Sequence, residues 1–395
     1  MPPDYHIVLA EKNSHGVTRP AGGGRFAVPA VPAVPAEPAE PAEPAEPAGP
    51  SGSVGPTGLG ARRRLGRVAA ALAVLAVLMA AAMGGAWLRQ SSLDAARALH
   101  WPAPGQRVAA GGHRLHLHCM GSGGPTMVLE AGMGGWSQDW SLVQARLAAQ
   151  GRVCSYDRAG YGWSDDGPAA RDGHAMVAQL RHALDDAGIV GPYLLVGHSM
   201  GGLLVGLYAR SYPREVAGLA FVDAVGRDYA AQFPPGPYRD FRASLDRLLS
   251  LAASLAPFGV PQALGQPASL VAARVAPAER ASARAFSLCA RQYAALRAEN
   301  AAFDAMLEQA RHAGPLPPVP TVVLSSSVMR DFPPGLENGA MRVAWQRNQD
   351  SIAREAGVRR VMLGDTGHYL HIERPDAVVA ALAAWRQAVV ANRKE

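Results

Sequence analysis

The residue types able to do chemistry gather around one serine. In "YLLVGHSMGGLLVGLYARSYP", Tyr193 to Pro213, Ser199 stands in the pattern Gly-x-Ser-x-Gly with Gly197 and Gly201 on either side. A serine hydroxyl is a poor nucleophile near neutral pH. Acyl-transfer chemistry therefore needs a base to take its proton, an acid to orient that base, and donors for the oxyanion. An apolar strand-like run precedes Ser199 and a helix-like run follows it, so the serine occupies a tight strand-to-helix corner that small neighbours permit. The corner aims the hydroxyl outward. It also puts the backbone N–H of Met200 at a helix N-terminus, where it can donate to developing negative charge.

The elements that must position this serine are legible from about Gln106 onward. "HRLHLHCM" alternates like a strand, "TMVLEAG", "RVCSYDRAG", "YLLVG" and "VAGLAFVDAVG" are short apolar runs, and "GHAMVAQLRHALDDAG" spaces its apolar residues as an amphipathic helix. Strands alternating with helices imply a mostly parallel sheet covered on both faces. After Asp223 the rhythm breaks, and residues 226–317 carry Ala, Leu and Arg at helical spacing with no evident strand. "VPTVVLSSS" and "VRRVMLGDTGH" then restore strands, and "PDAVVAALAAWRQAVV" closes the chain as a helix.

Five motifs in order, "LEAGMGG", "YDRAGYGWSD", "VGHSMGG", "GLAFVDA" and "GDTGHYLHIERPDAV", carry a family resemblance. From about Val108 to the C-terminus the chain resembles α/β-hydrolase-fold proteins with a helical cap inserted after the sixth strand. The resemblance implies an eight-stranded, mostly parallel sheet with helices on both faces, and catalysis without cofactor or metal. It places the base at His368, after the last strand, with His371 as a rival expected to face away. The acid is expected at Asp223, at the end of strand six, with Asp331, beyond strand seven, as the alternative. Met133, in the turn after strand three, is implied as the second oxyanion donor beside Met200. Ala131 stands where relatives carry histidine, which leaves the hydrogen bonding of that turn open. Asp157 and Arg158 are expected to fix the loop after strand four.

The remaining histidines and the cysteines have plainer expectations. His113, His116 and His118 alternate along a strand and are read as its solvent side, because no carboxylate or cysteine spacing accompanies them as a metal site would require. His198 is expected to pack locally. In the fold that the resemblance implies, the second and fourth strands are neighbours, so Cys119 and Cys154 are either a disulfide, if the domain lies outside the cytoplasm, or two small buried apolar residues.

The first ninety residues differ in kind. Residues 1–61 contain repeated Pro-Ala and Pro-Ala-Glu units that cannot bury a core, and are expected to be a disordered tail. Residues 62–90 read as an anchor. Val68 to Leu88 is an uncharged apolar run of about 20 residues, the length that spans a hydrocarbon core, and it shows no polar face. The long tail upstream favours an uncleaved anchor over a signal peptide. Arg62, Arg63, Arg64 and Arg67 just before the run, against Arg89 and Arg97 just after it, orient the tail to the cytoplasm and the remainder outside. Three further segments complete the expected organisation: 91–225 and 318–395 as the two parts of the core, and 226–317 as the cap.

Composition narrows the function. The net charge of +6 comes from arginines scattered without interleaved aromatics, unlike a nucleic-acid surface. The expected activity is a membrane-anchored serine hydrolase acting on an ester, or an amide, of a small or medium apolar substrate. An aminopeptidase and a cofactor-free haloperoxidase-like enzyme share the same constellation. Epoxide hydrolases and dehalogenases would need a carboxylate where Ser199 stands. A non-catalytic anchored binding protein, its tail recruiting a cytoplasmic partner, is the reading from another class.

Overall fold

The structure, a computed structural model, describes residues 58–168, 171–265, 274–328 and 339–393. The Pro-Ala-Glu tract and Asp331 lie outside the described residues.

Eight strands make one sheet: β1 (Gln106–Ala109), β2 (Arg114–Met120), β3 (Met127–Glu130), β4 (Val153–Asp157), β5 (Tyr193–His198), β6 (Val216–Val222), β7 (Thr321–Ser326) and β8 (Val361–Leu363). Their order is β1-β2-β4-β3-β5-β6-β7-β8, with β2 antiparallel to both β1 and β4 and every other pairing parallel. Parallel neighbours need long crossovers, which put helices on both faces and bury the strands completely. Every residue of β5 and of β6 is accordingly buried.

The period of two divides the core. Val128 and Leu195 join Val177 and Leu180 of α3 (Gly173–Asp186) and Val205 of α4 (Met200–Ser211). Their neighbours Met127, Leu129, Leu194 and Val196 face the other way. They meet Trp140, Leu147 of α2 (Gln144–Ala148), and Leu382 and Trp385 of the closing helix 375–392.

Between β6 and β7 run α5 (Pro235–Leu255), α6 (Val260–Ala263), α7 (Arg280–Phe286) and α8 (Ala290–His312), with no strand among the described residues. Helix α8 lies against α3, α4 and α5. Its Phe303, Met306 and Leu307 share a cluster with Leu203 and Leu204 of α4 and Trp345 of α9 (Gly339–Glu355). After β8 come the short α10 (Leu370–Glu373) and then α11 (Pro375–Asn392).

The expected apolar run lies within α1 (Gly58–His100), the one helix among the described residues long and apolar enough to cross a membrane, and none of its apolar window is buried. The helix runs on past residue 90 without a break. There Gln90 Nε2 donates to Leu288 O (3.2 Å), and Asp94 Oδ2 accepts from Ala290 N (3.1 Å) at the start of α8.

Cys119 of β2 and Cys154 of β4 sit directly opposite each other on adjacent antiparallel strands and form a disulfide, leaving Cys289 as the free, buried thiol. His116 departs from the expected solvent side of β2. It is fully buried, with Nδ1 2.8 Å from Asp157 Oδ2 and Nε2 accepting from Gly105 N (3.2 Å). Alternation sets only which face of a strand a side chain takes; the loop after β4 covers that face, and the Trp163 ring lies tilted against the imidazole at 4.9 Å.

Candidate active site

Ser199 has φ 53° and ψ −124°, a conformation rare for a residue with a Cβ and worth about 1–3 kcal/mol of strain. Its surroundings hold it there. The Ser199 N–H donates to Val222 O (3.3 Å), and Ser199 O accepts from Gly202 N (2.9 Å) and Val225 N (2.8 Å), which ties the corner to the end of β6. Gly201 is required by contact: a Cβ there would lie 2.4 Å from Glu130 O.

Asp223 follows β6 directly and is fully buried, at φ 42°. Three donors converge on its carboxylate: Ser326 N on Oδ1 (2.8 Å), and Trp345 Nε1 (3.1 Å) and His368 Nδ1 (2.8 Å) on Oδ2. A carboxylate accepting from Nδ1 fixes the proton on that nitrogen and leaves Nε2 as the basic one. Trp345 stands edge-on to the His368 ring at 5.1 Å. His198, next to the serine, donates from Nε2 to His368 O (3.0 Å), with the rings 4.6 Å apart. The structure therefore brings the ends of β5 and β6 and the loop after β8 to one place.

His371, the rival base, is buried on α10 between Trp140 (4.4 Å) and His198 (4.6 Å), while the hydrogen bond to Asp223 is made by His368. Burial, and secondarily His368 and Arg274, push the pKa of His371 down to about 3, so it stays neutral. Burial likewise depresses His198 well below the ordinary histidine value.

The turn after β3 passes against the serine: a Cβ on Gly132 would lie 3.1 Å from Ser199 Cβ. Among the described residues, the Met133 amide has no backbone partner outside helices and strands. In place of a histidine at Ala131, the turn is gripped by Arg158. This side chain donates from Nη1 to Ala131 O (2.9 Å) and Glu130 Oε1 (2.7 Å), from Nη2 to Gly132 O (2.7 Å), and from Nε to Glu299 Oε1 (2.7 Å). Burial opposes the Arg158 charge, but Glu299 and Glu130 outweigh it and hold its pKa above the ordinary arginine value. Glu130, which also accepts from Tyr156 OH, is pushed up by burial against the pull of Arg158. Removing Arg158 would leave two buried carboxylates without their shared cation, at about 3–5 kcal/mol. Asp157 fixes the loop as expected, accepting from Ser137 N and Trp163 N (both 2.9 Å).

Trp345 and Glu299 were not foreseeable as site residues. Each lies on an amphipathic helix, and no motif distinguishes it from its neighbours.

Residues 125–375 match the family described as alpha/beta hydrolase fold. The chain belongs to that family. It is 35% identical over 114 residues to the YqjL protein of Bacillus subtilis, covering 29% of this chain and 45% of that protein. It is 32% identical over 126 residues to a 2-hydroxy-6-oxo-2,4-heptadienoate hydrolase of Pseudomonas putida, covering 31% of this chain and 45% of that one. The chain thus spans less than half the length of these curated relatives. A solved esterase from Thermogutta terrifontis has a similar fold, with TM-score 0.53 and 24% identity over 72% of this chain and 99% of that one.

Proposed function

We propose that this protein is a serine hydrolase that cleaves an ester of a small or medium, largely apolar substrate through an acyl-enzyme. Ser199 Oγ attacks the acyl carbonyl while His368 Nε2 takes its proton, and the Met133 and Met200 amides receive the oxyanion. Collapse of the tetrahedral intermediate expels the alcohol, protonated by His368. Water then attacks the acyl-serine with the same base, releasing the acid and restoring Ser199. Asp223 keeps the imidazole in the working tautomer and stabilises its charged form.

The observation that carries this reading is the Asp223–His368 hydrogen bond, assembled beside a serine in a strained corner. Met200, Phe303, Trp345, Tyr229 and Phe233 form one apolar cluster, packed by Met133, which favours an apolar acyl group. The names of the relatives, an esterase and a dienoate hydrolase, agree with hydrolytic chemistry. Labelling with a fluorophosphonate tests it: the wild-type protein should react and Ser199→Ala should not. A labelled Ser199→Ala protein, or an inert wild type, would reject the reading.

The same proposal includes a membrane anchor at residues 68–88, with the tail cytoplasmic and the hydrolase domain outside. The arginine bias supports that orientation, as does the Cys119–Cys154 disulfide, which persists in oxidising compartments.

A further inference from the structure

Helix α8 delivers Glu299 from the inserted helices into the interior, where the side chain is fully buried. Four donors meet its carboxylate. Arg158 Nε reaches Oε1 at 2.7 Å, while Arg158 Nη2 (3.1 Å), Tyr161 OH (3.0 Å) and the Gly134 N–H (3.3 Å) reach Oε2. The same guanidinium holds Gly132 O at 2.7 Å, an oxygen that also accepts from Gly135 N (3.0 Å).

The geometry of a peptide unit connects these contacts to chemistry. Gly132 C=O and Met133 N–H belong to one planar trans peptide and point in opposite directions. Holding the oxygen on the Arg158 side therefore turns the Met133 N–H to the other side. The Gly134 amide, held by Glu299 directly, pins the next residue of the turn.

We propose that Glu299 is a positioning residue for ester hydrolysis, orienting the Gly132–Met133 peptide through Arg158 and Gly134 so that the Met133 N–H serves the oxyanion. The inference rests on the acyl-enzyme reading and on Met133 as a donor. It makes the inserted helices part of the catalytic geometry, because the carboxylate that sets the turn comes from α8.

The test compares Glu299→Gln and Glu299→Asp with the wild type in the full chain. Readouts are kcat and KM per Ser199 titrated with fluorophosphonate, the melting temperature, and hydrogen exchange of residues 130–136. The isosteric Glu299→Gln should lower kcat by about 10- to 100-fold, in line with a misplaced oxyanion donor. KM should stay within about threefold and amide protection of the turn should fall. Glu299→Asp, which keeps the charge, should recover part of kcat. A lower melting temperature with kcat per titrated site within about threefold of wild type would show a purely structural residue and overturn the proposal. Should Glu299→Gln not fold, Tyr161→Phe removes one donor alone; a reduced kcat at unchanged KM supports the proposal and an unchanged kcat overturns it. An unlabelled wild type removes the acyl-enzyme reading and this proposal with it. A labelled wild type with indifferent Glu299 variants removes only the positioning role.

Discussion

Asp223 and His368, 145 residues apart in the chain, meet through a 2.8 Å hydrogen bond between Oδ2 and Nδ1. If Asp223 is the orienting acid, Asp223→Asn should lower kcat about 10⁴-fold, because an amide there no longer enforces the working tautomer. Asp331→Asn should stay within severalfold of wild type. Steady-state turnover of a short-chain ester measures both, and the reverse ranking would transfer the role to Asp331.

Trp345 supplies one of the three hydrogen bonds to the Asp223 carboxylate. Hydrogen bonds to a charged group are worth about 1.5–3 kcal/mol, so Trp345→Phe should cost roughly tenfold in kcat while the protein remains folded. A variant with undiminished kcat would mean that Ser326 N and His368 suffice to hold the carboxylate.

The Cys119–Cys154 bond links β2 to β4 across a sequence separation of 35 residues. Unfolded, unreduced protein should titrate a single thiol, that of Cys289. Replacing the pair by alanines should lower stability by about 2–4 kcal/mol in denaturant melts. Three titratable thiols would exclude the bond.

Acid should destabilise the protein through His371. Its folded-state pKa of about 3 lies below the ordinary histidine value, so between pH 6.5 and 3 the unfolded chain binds a proton that the folded chain does not. Stability then falls with falling pH, by about 2 kcal/mol from this residue at pH 5. Asp139, pushed up to about 6 by burial, works in the opposite direction, since its folded form takes the proton first. Comparing wild type with His371→Gln isolates the histidine: the variant should lose less stability between pH 7 and pH 5. Parallel curves would refute the assignment.

Membrane orientation is checked by protease treatment of spheroplasts. Digestion of the domain after residue 90 is the expected result; its protection would reverse the topology.

Local sequence determined the serine corner. Gly197, Ser199 and Gly201 between an apolar run and a helix specify a turn through steric limits that act within a few residues, and the alternation of apolar runs with amphipathic segments specifies the layered sheet. The apolar run in α1 is legible for the same reason, since twenty uncharged residues need no partner to be recognised. Which groups meet across the fold is a different matter. The convergence of Ser326, Trp345 and His368 on Asp223 depends on β6 lying beside β7 and on the path of the loop after β8. His116 went inward because a distant loop covered its face. The grip of Arg158 and Glu299 on the Met133 turn joins residues 141 positions apart. Such pairings arise only when packing removes water from charged groups and compels them to find one another, and tertiary structure alone settled them.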